Sequence, residues 1–292
     1  VDAAKLIDNH NGKVMICGLG KSGLIAQKIA ATFCSVGSKA VFLHAVDALH
    51  GDLGIFEAGD PTIVISKSGS TEEIVRLIPI LKEFESPLIG IVGNMNSSII
   101  DDLDIVLDAS VDNEADPLGI VPTSSTTLTL SIGDALAIAT MQYKKFGKLD
   151  FKKFHPSGNL GKKLKTAEDL MIIKNKIPFI SENENVKNCL KILNLKKLGV
   201  LIVRNNKQMT TGIFTDGDIK RAMQKNNDIS EKKIKFFMTK NPKSIDKDTL
   251  AVKALSIMNE RKITCLCVHK KNNKKKTIGI LHIHNILEAN IN

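Results

Sequence analysis

The sequence predicts an α/β protein: a parallel sheet covered by helices on both faces in the first half, then two smaller and mutually similar α/β modules. Three observations point there. Between residues 14 and 107, short apolar runs recur without polar alternation, as strands buried on both faces require. Several of these runs end directly in loops rich in glycine or hydroxyl side chains. Beyond residue 166, one pattern of turn, helix and strands occurs twice.

The first run, at 14–17, leads into Gly18, Gly20 and Gly23, with Lys21 and Ser22 between the last two. Glycine lets the chain turn tightly and approach a ligand closely, and a helix starting there aims free N–H groups at an anion. The spelling also fits a dinucleotide fingerprint, which calls for an acidic residue at the end of the second strand. That strand, expected at 40–43, is followed by His44 and Ala45, and Asp47 comes late, which disfavours NAD. A nucleoside-triphosphate loop needs glycine where Met15 stands.

Apolar spacing predicts the first crossover helix over 24–33, ended by Gly37. A third strand at 62–65 opens a loop of Ser66, Ser68, Ser70 and Thr71, in which Thr71 is placed to cap a helix entered by Glu72 and Glu73 and running through Leu81. Strands at 88–92 and 105–107 follow, and then a third hydroxyl cluster, including Ser124, Ser125 and Thr126, before a helical run over 128–141. Three such loops at strand ends predict a site for a phosphorylated small molecule. Glu73 and Glu114 are candidate proton carriers, and His50 and His155 lie in glycine-rich contexts suited to an imidazole working near pH 7.

Composition narrows the function classes. No stretch reads as a membrane span and none opens the chain as a secretory leader, so neither a membrane partner nor export is expected. The chain opens on Val1 close to the first strand, as a truncated sequence would. The cysteines at 17, 34, 189, 265 and 267 fit neither a disulfide framework nor a metal pattern, and are expected to be buried thiols. Residues 1–160 carry 13 basic and 19 acidic residues, a net −6, whereas the remainder carries 28 and 12, a net +16. The basic excess, densest over 270–276, reads as a solvated surface rather than a specific nucleic-acid site, because the chain has one tyrosine, no tryptophan and no recognisable reading helix.

Taken together, GLGKSG at 18–23, HGDLG at 50–54, SKSGSTEEI at 66–74, NEADPLG at 113–119, PTSSTT at 122–127 and HPSGNLG at 155–161 resemble the sugar isomerase (SIS) domain of arabinose 5-phosphate isomerases. The resemblance covers 1–161 and implies a parallel-sheet SIS sandwich. It implies reversible conversion of D-ribulose 5-phosphate to D-arabinose 5-phosphate through an enediol(ate), feeding Kdo synthesis for lipopolysaccharide or capsule. No cofactor is required for that chemistry. The family's catalytic lysine, two glutamates and histidine fall on Lys21, Glu73, Glu114 and His155. Glu114 is the expected proton carrier with His155 assisting, although the two can exchange roles. Substrate binding falls to Gly20, Ser22, His50, Ser66, Ser68, Thr71, Ser124, Ser125 and Thr126. Lys67, Ser70 and Asp116 depart from the residues common in relatives. A cytoplasmic homotetramer acting on a phosphorylated five-carbon sugar is implied.

Beyond a linker at 156–165, the repeat resembles a pair of cystathionine β-synthase (CBS) domains at 166–227 and 231–290. Such pairs take a regulatory nucleotide or nucleotide-sugar, or act in assembly. Thr215 and Asp218 match the threonine and ribose-contacting aspartate of nucleotide-binding members, whereas His282 and Asn285 stand at the corresponding places in the second repeat. His282 and His284 form an H-x-H pair on an expected strand, but no third ligand accompanies them and no metal is expected. Two other function classes compete: a sugar-phosphate sensor without turnover, and a nucleic-acid-associated regulator using the basic second half.

Overall fold

The apolar runs pair as parallel strands because each offers side chains to both faces of a sheet. The computed structural model describes residues 1–225 and 228–291, with side chains described for all of these but 158–160. Two compact units divide the chain, Val1–Phe154 and His155–Asn292.

The first unit runs α1 (Asp2–Asn9), β1 (Val14–Gly18), α2 (Gly20–Ser35), β2 (Ala40–His44), α3 (Ala45–Ala48), β3 (Thr62–Ser66), α4 (Glu72–Glu83), β4 (Leu88–Val92), β5 (Ile105–Asp108), α5 (Ser124–Tyr143) and α6 (Lys148–Phe154). The five strands are all parallel, in the order β2-β1-β3-β4-β5. Successive residues point to opposite faces. Ile16, Ile63, Ile65, Ile89 and Ile91 therefore meet α1, α2 and α5 in one buried cluster. Met15, Cys17, Val64, Leu88 and Val92 meet Ile74, Leu77, Ile78 and Leu81 of α4 in the other. The result is three layers, helix on sheet on helix. The two longest helices, α2 and α5, start before their apolar period does, at Gly20 and Ser124, because polar residues in a first turn face the site rather than the core.

The second unit contains α7 (Gly158–Lys163), α8 (Ala167–Leu170), β6 (Ile172–Ile173), β7 (Phe179–Ser181), α9 (Val186–Lys196), β8 (Val200–Arg204), β9 (Thr210–Thr215) and α10 (Asp216–Lys225). The repeat follows as β10 (Thr239–Lys240), β11 (Ser244–Asp246), α11 (Ala251–Arg261), β12 (Cys265–Lys270), β13 (Asn273–His282) and α12 (Ile283–Glu288). Its sheets are ordered β10-β9-β8-β7 and β11-β12-β13-β6. Each entrance strand thus pairs with the other repeat: β6 with β13, and β10 with β9. Ile177, Val200 and Ile202 of the first repeat share a cluster with Cys265, Cys267 and Ile280 of the second. The expected end of the first module, residue 227, lies outside the described residues.

Four of the five cysteines are buried, and desolvation pushes the thiols of Cys17, Cys189 and Cys265 up to about 12. Cys34 corrects the expectation: it is exposed in the last turn of α2, its Sγ 3.2 Å from the Ala40 carbonyl oxygen. Among the described residues, no helix is long and apolar enough to cross a membrane.

Candidate active site

At the carboxyl ends of the strands, a cavity of about 220 Å³ opens between the starts of α2 and α5. Its walls are Leu19, Lys21, Ser22 and Ile25 from the first turns of α2; Lys67, Gly93 and Ala109 beyond β3, β4 and β5; and Pro122, Ser125, Thr126 and Thr129 from the start of α5. Two helix N-termini and two lysines make this an anion site, since unpaired amide groups and ammonium groups both favour negative charge. The volume suits a small metabolite.

The turn into α2 depends on glycine at two positions. Gly20 has φ +58°, in the left-handed region. A side chain on Gly18 would meet backbone atoms of Ser22 at 2.9 Å, so strand and helix approach too closely for any other residue.

Glu114 organises the facing loop. Its side chain is 2% exposed, and Lys67 Nζ lies 2.6 Å from Oε1. The Ser125 hydroxyl donates to the same oxygen. Oε2 accepts from the Thr123 amide at 2.8 Å, the Thr123 hydroxyl at 3.2 Å and the Ser125 amide at 3.2 Å. The Lys67 ammonium, then the Ser125 hydroxyl and the Thr123 amide, hold this carboxyl far below the usual range despite its burial. Glu114 does not itself line the cavity. It lies one contact behind, joined to it by Lys67 and Ser125.

Of the residues expected from sequence, the cavity brings together Lys21, Ser22, Ser125 and Thr126, with Glu114 behind them. Gly20 and Ser124 sit next to lining residues at the two helix starts. Ser66 is buried and works within its own loop: its Oγ accepts the Gly69 amide at 3.0 Å and lies 3.4 Å from Thr71 Oγ1. Thr71 takes the N-cap position of α4, but its hydroxyl makes no cap bond. Ser68 Oγ accepts the Ser70 amide at 3.2 Å. Glu73 is half-buried in the first turn of α4, and His50 is exposed in the turn after α3. His155 opens the second unit, so the first unit alone does not contain it. Asp116, singled out as a departure, bonds the amides of Leu118, Ile120 and Val121 and shapes its own loop. Sequence reasoning missed Lys67, along with Thr129 in the cavity wall and Thr123 on Glu114. For Lys67 the signal was an unusual cation inside a serine loop, and only folding brings it to Glu114, 47 positions on.

In the second unit, Asp218 is 3% exposed. Its Oδ2 accepts the Thr215 amide at 2.9 Å and hydroxyl at 2.8 Å, and its Oδ1 takes Arg221 at 2.5 Å and the Thr239 hydroxyl at 2.7 Å. Ribose contact at Asp218 would exchange some of these bonds. Asn285 repeats the cap, its Oδ1 3.3 Å from the His282 amide. The H-x-H pair is not on one strand: His282 ends β13 and His284 is in α12, with His282 Nδ1 accepting the His284 amide at 3.3 Å.

Comparisons with known proteins agree with this division. Residues 6–139 match the SIS domain, and 167–225 and 232–292 match the CBS domain. A Francisella tularensis protein named arabinose 5-phosphate isomerase KdsD is 40% identical over 98% of this chain and 88% of its own. The Escherichia coli K12 protein of the same name is 40% identical over 96% of this chain and 85% of its own. Among solved structures, an E. coli CFT073 protein, c3406, in complex with arabinose 5-phosphate is 42% identical, with a TM-score of 0.51, over 53% of this chain and 82% of that one.

Proposed function

The chain belongs to the arabinose 5-phosphate isomerase family, and we propose that it interconverts D-ribulose 5-phosphate and D-arabinose 5-phosphate through an enediol(ate). The observation that carries this reading is the cavity walled by Lys21, Ser22, Ser125 and Thr126 at two helix starts, with an ionised carboxylate one contact behind it. The helix starts and hydroxyls take the phosphate, as anions are taken wherever amide groups are left free. A base removes the C1 proton of the ketose and the electrons move onto the C2 carbonyl oxygen; a proton returned to C2, with the O1 hydroxyl proton lost as the C1 carbonyl forms and one gained at O2, gives the aldose. Glu114 is ionised, the form a base requires, and reaches the substrate when Lys67 and Ser125 yield. Lys21 stabilises the oxyanion that develops. Glu73 orients a sugar hydroxyl or Lys21. Ser66, Ser68 and Thr71 fix the loop that carries Lys67, His50 binds the substrate, and His155 assists Glu114 in ring opening or proton transfer. Thr215 and Asp218 mark the CBS site for a regulatory nucleotide or nucleotide-sugar. Family membership also supports a cytoplasmic homotetramer supplying Kdo synthesis.

The test is incubation with ribulose 5-phosphate in D₂O, followed by NMR. Arabinose 5-phosphate carrying deuterium at C2 is expected, with kcat lowered about 100-fold or more in Glu114→Gln and reduced in His155→Ala. A folded protein that binds the sugar phosphate but yields neither product nor C2 exchange would be a sensor.

A further inference from the structure

Lys67 has no assigned role, yet it is the group that joins the buried carboxylate to the cavity. Its ammonium lies 2.6 Å from Glu114 Oε1, its side chain is 48% exposed where that of Glu114 is 2% exposed, and it lines the same wall as Ser125. We propose that Lys67 is the positioning and specificity residue of this site: it neutralises Glu114 at the cavity wall, so that the cavity admits an anionic sugar while the carboxylate stays charged. This rests on reading the cavity as a sugar-phosphate site.

The physical problem is one of like charges. A general base must be ionised, and a phosphate must enter beside it. Two negative charges a few ångströms apart in a partly buried site repel strongly, so one must be lost or a cation must stand between them. Among the described residues, the surroundings of Glu114 offer one such cation. From the loop ending in α5 it receives only neutral donors, the amide and hydroxyl groups of Thr123 and Ser125. From the loop after β3 it receives the ammonium of Lys67. Lys21, on α2, lines the cavity and is the other cation in its wall. Hydrogen bonds from neutral donors hold a carboxylate in place, but they do not cancel its charge as seen by an incoming anion. Lys67 does both, and its long half-exposed arm lets it turn toward the phosphate without disturbing the backbone. The cavity therefore selects on charge as well as on shape: a neutral pentose gains nothing from Lys67, whereas a pentose phosphate meets an ammonium already held at the wall.

Removing the ammonium has a defined sign. Losing the ammonium removes the largest influence that lowers the Glu114 carboxyl, so its pKa moves up from the parent's, while the Ser125 hydroxyl and the Thr123 and Ser125 amides still hold it down against burial. The test uses the full chain, Lys67→Met and Lys67→Arg, with sulfate as the anion probe and selective ¹³C labelling of glutamate carboxyls, the Glu114 signal being identified by its loss in Glu114→Gln. The parent and Lys67→Arg are expected to bind sulfate alike and to show no Glu114 titration between about pH 4 and 8. Lys67→Met is expected to bind sulfate at least about tenfold more weakly and to titrate Glu114 at higher pH than the parent does, because only the ammonium is lost. Sulfate affinity in Lys67→Met equal to the parent's, or a Glu114 titration at no higher pH than the parent's, would overturn the proposal. Because sulfate binding and the carboxyl titration need no turnover, a parent enzyme without isomerase activity overturns the functional reading alone.

Discussion

Asp60 is wholly buried at the N-terminal ends of the strands, away from the cavity, and yet charged. It accepts from His10 Nε2 at 2.9 Å, the Lys13 amide at 3.2 Å and the Glu57 amide at 3.0 Å, and pairs with Lys13 Nζ at 2.8 Å. Burial would raise its carboxyl, but Lys13, the two amides and His10 outweigh burial and bring it down to about 2 from 3.8. A folded-state pKa below the unfolded one stabilises the fold at pH above the unfolded value. That contribution, roughly 2 kcal/mol, is lost as pH falls from about 4 through 2. Urea midpoints followed at β1 and β3 amides should drop over that window. Asp60→Asn should lower stability by about 3 kcal/mol at pH 7, because Lys13 loses its buried partner, and should flatten the acid dependence. An unchanged acid limb in the variant would mean that another carboxylate governs it. Glu114 obeys the same sign, but its consequence falls on chemistry: a carboxylate held so firmly ionised remains a base across the whole physiological range.

The element that decides the site is the β1–α2 turn. Gly18 ends the strand, Gly20 takes a left-handed backbone, and Lys21 and Ser22 are delivered to the cavity by the helix that begins there. The clash at Gly18 is with the backbone of Ser22, which has no rotamer to change. Gly18→Ala should therefore shift the helix start, cost about 1–3 kcal/mol, and weaken sulfate binding about tenfold or more while leaving the circular-dichroism spectrum intact. Retained affinity at full stability would show that the turn can relax elsewhere. The α5 start differs in kind. It is held by side chain to backbone, through Glu114 on the Thr123 and Ser125 amides, so its geometry depends on a residue upstream in the preceding loop rather than on glycine.

At the level of the whole chain, the two units differ in charge and in how they hold together. The cationic stretch of the second unit, Lys270 to Lys276, is the tip of the β12–β13 hairpin and is exposed throughout, as a solvated basic surface should be. The two repeats share one apolar cluster and exchange their entrance strands, so neither repeat's core is complete alone. Ile280→Ala, at a fully buried position in that cluster, should cost about 3 kcal/mol and lower amide exchange protection in both repeats together. Leu193→Ala, in the first repeat's own cluster, should weaken the first repeat more than the second. Equal effects from the two variants would make the second unit a single cooperative block; an effect of Ile280→Ala confined to the second repeat would make the shared cluster energetically minor.

Apolar period, glycine at a forced turn and hydroxyls before a helix are local properties, and they were enough to locate the strands, the helices between them, the repeat and the loops at the strand ends. The strands expected at 40–43, 62–65 and 88–92 coincide with β2, β3 and β4 to within a residue for this reason. Which hydroxyls face the cavity and which serve their own loop is not local, because Ser66 and Ser125 look alike in sequence and differ only in what lies opposite. Folding alone brought Lys67 to Glu114, put Asp218 into a cap already full, and moved His284 off the strand. Each of those outcomes depends on contacts between residues far apart in the chain or on where one element stops, and the energy that settles them, burial of a charge against its pairing, exists only once the surroundings are assembled.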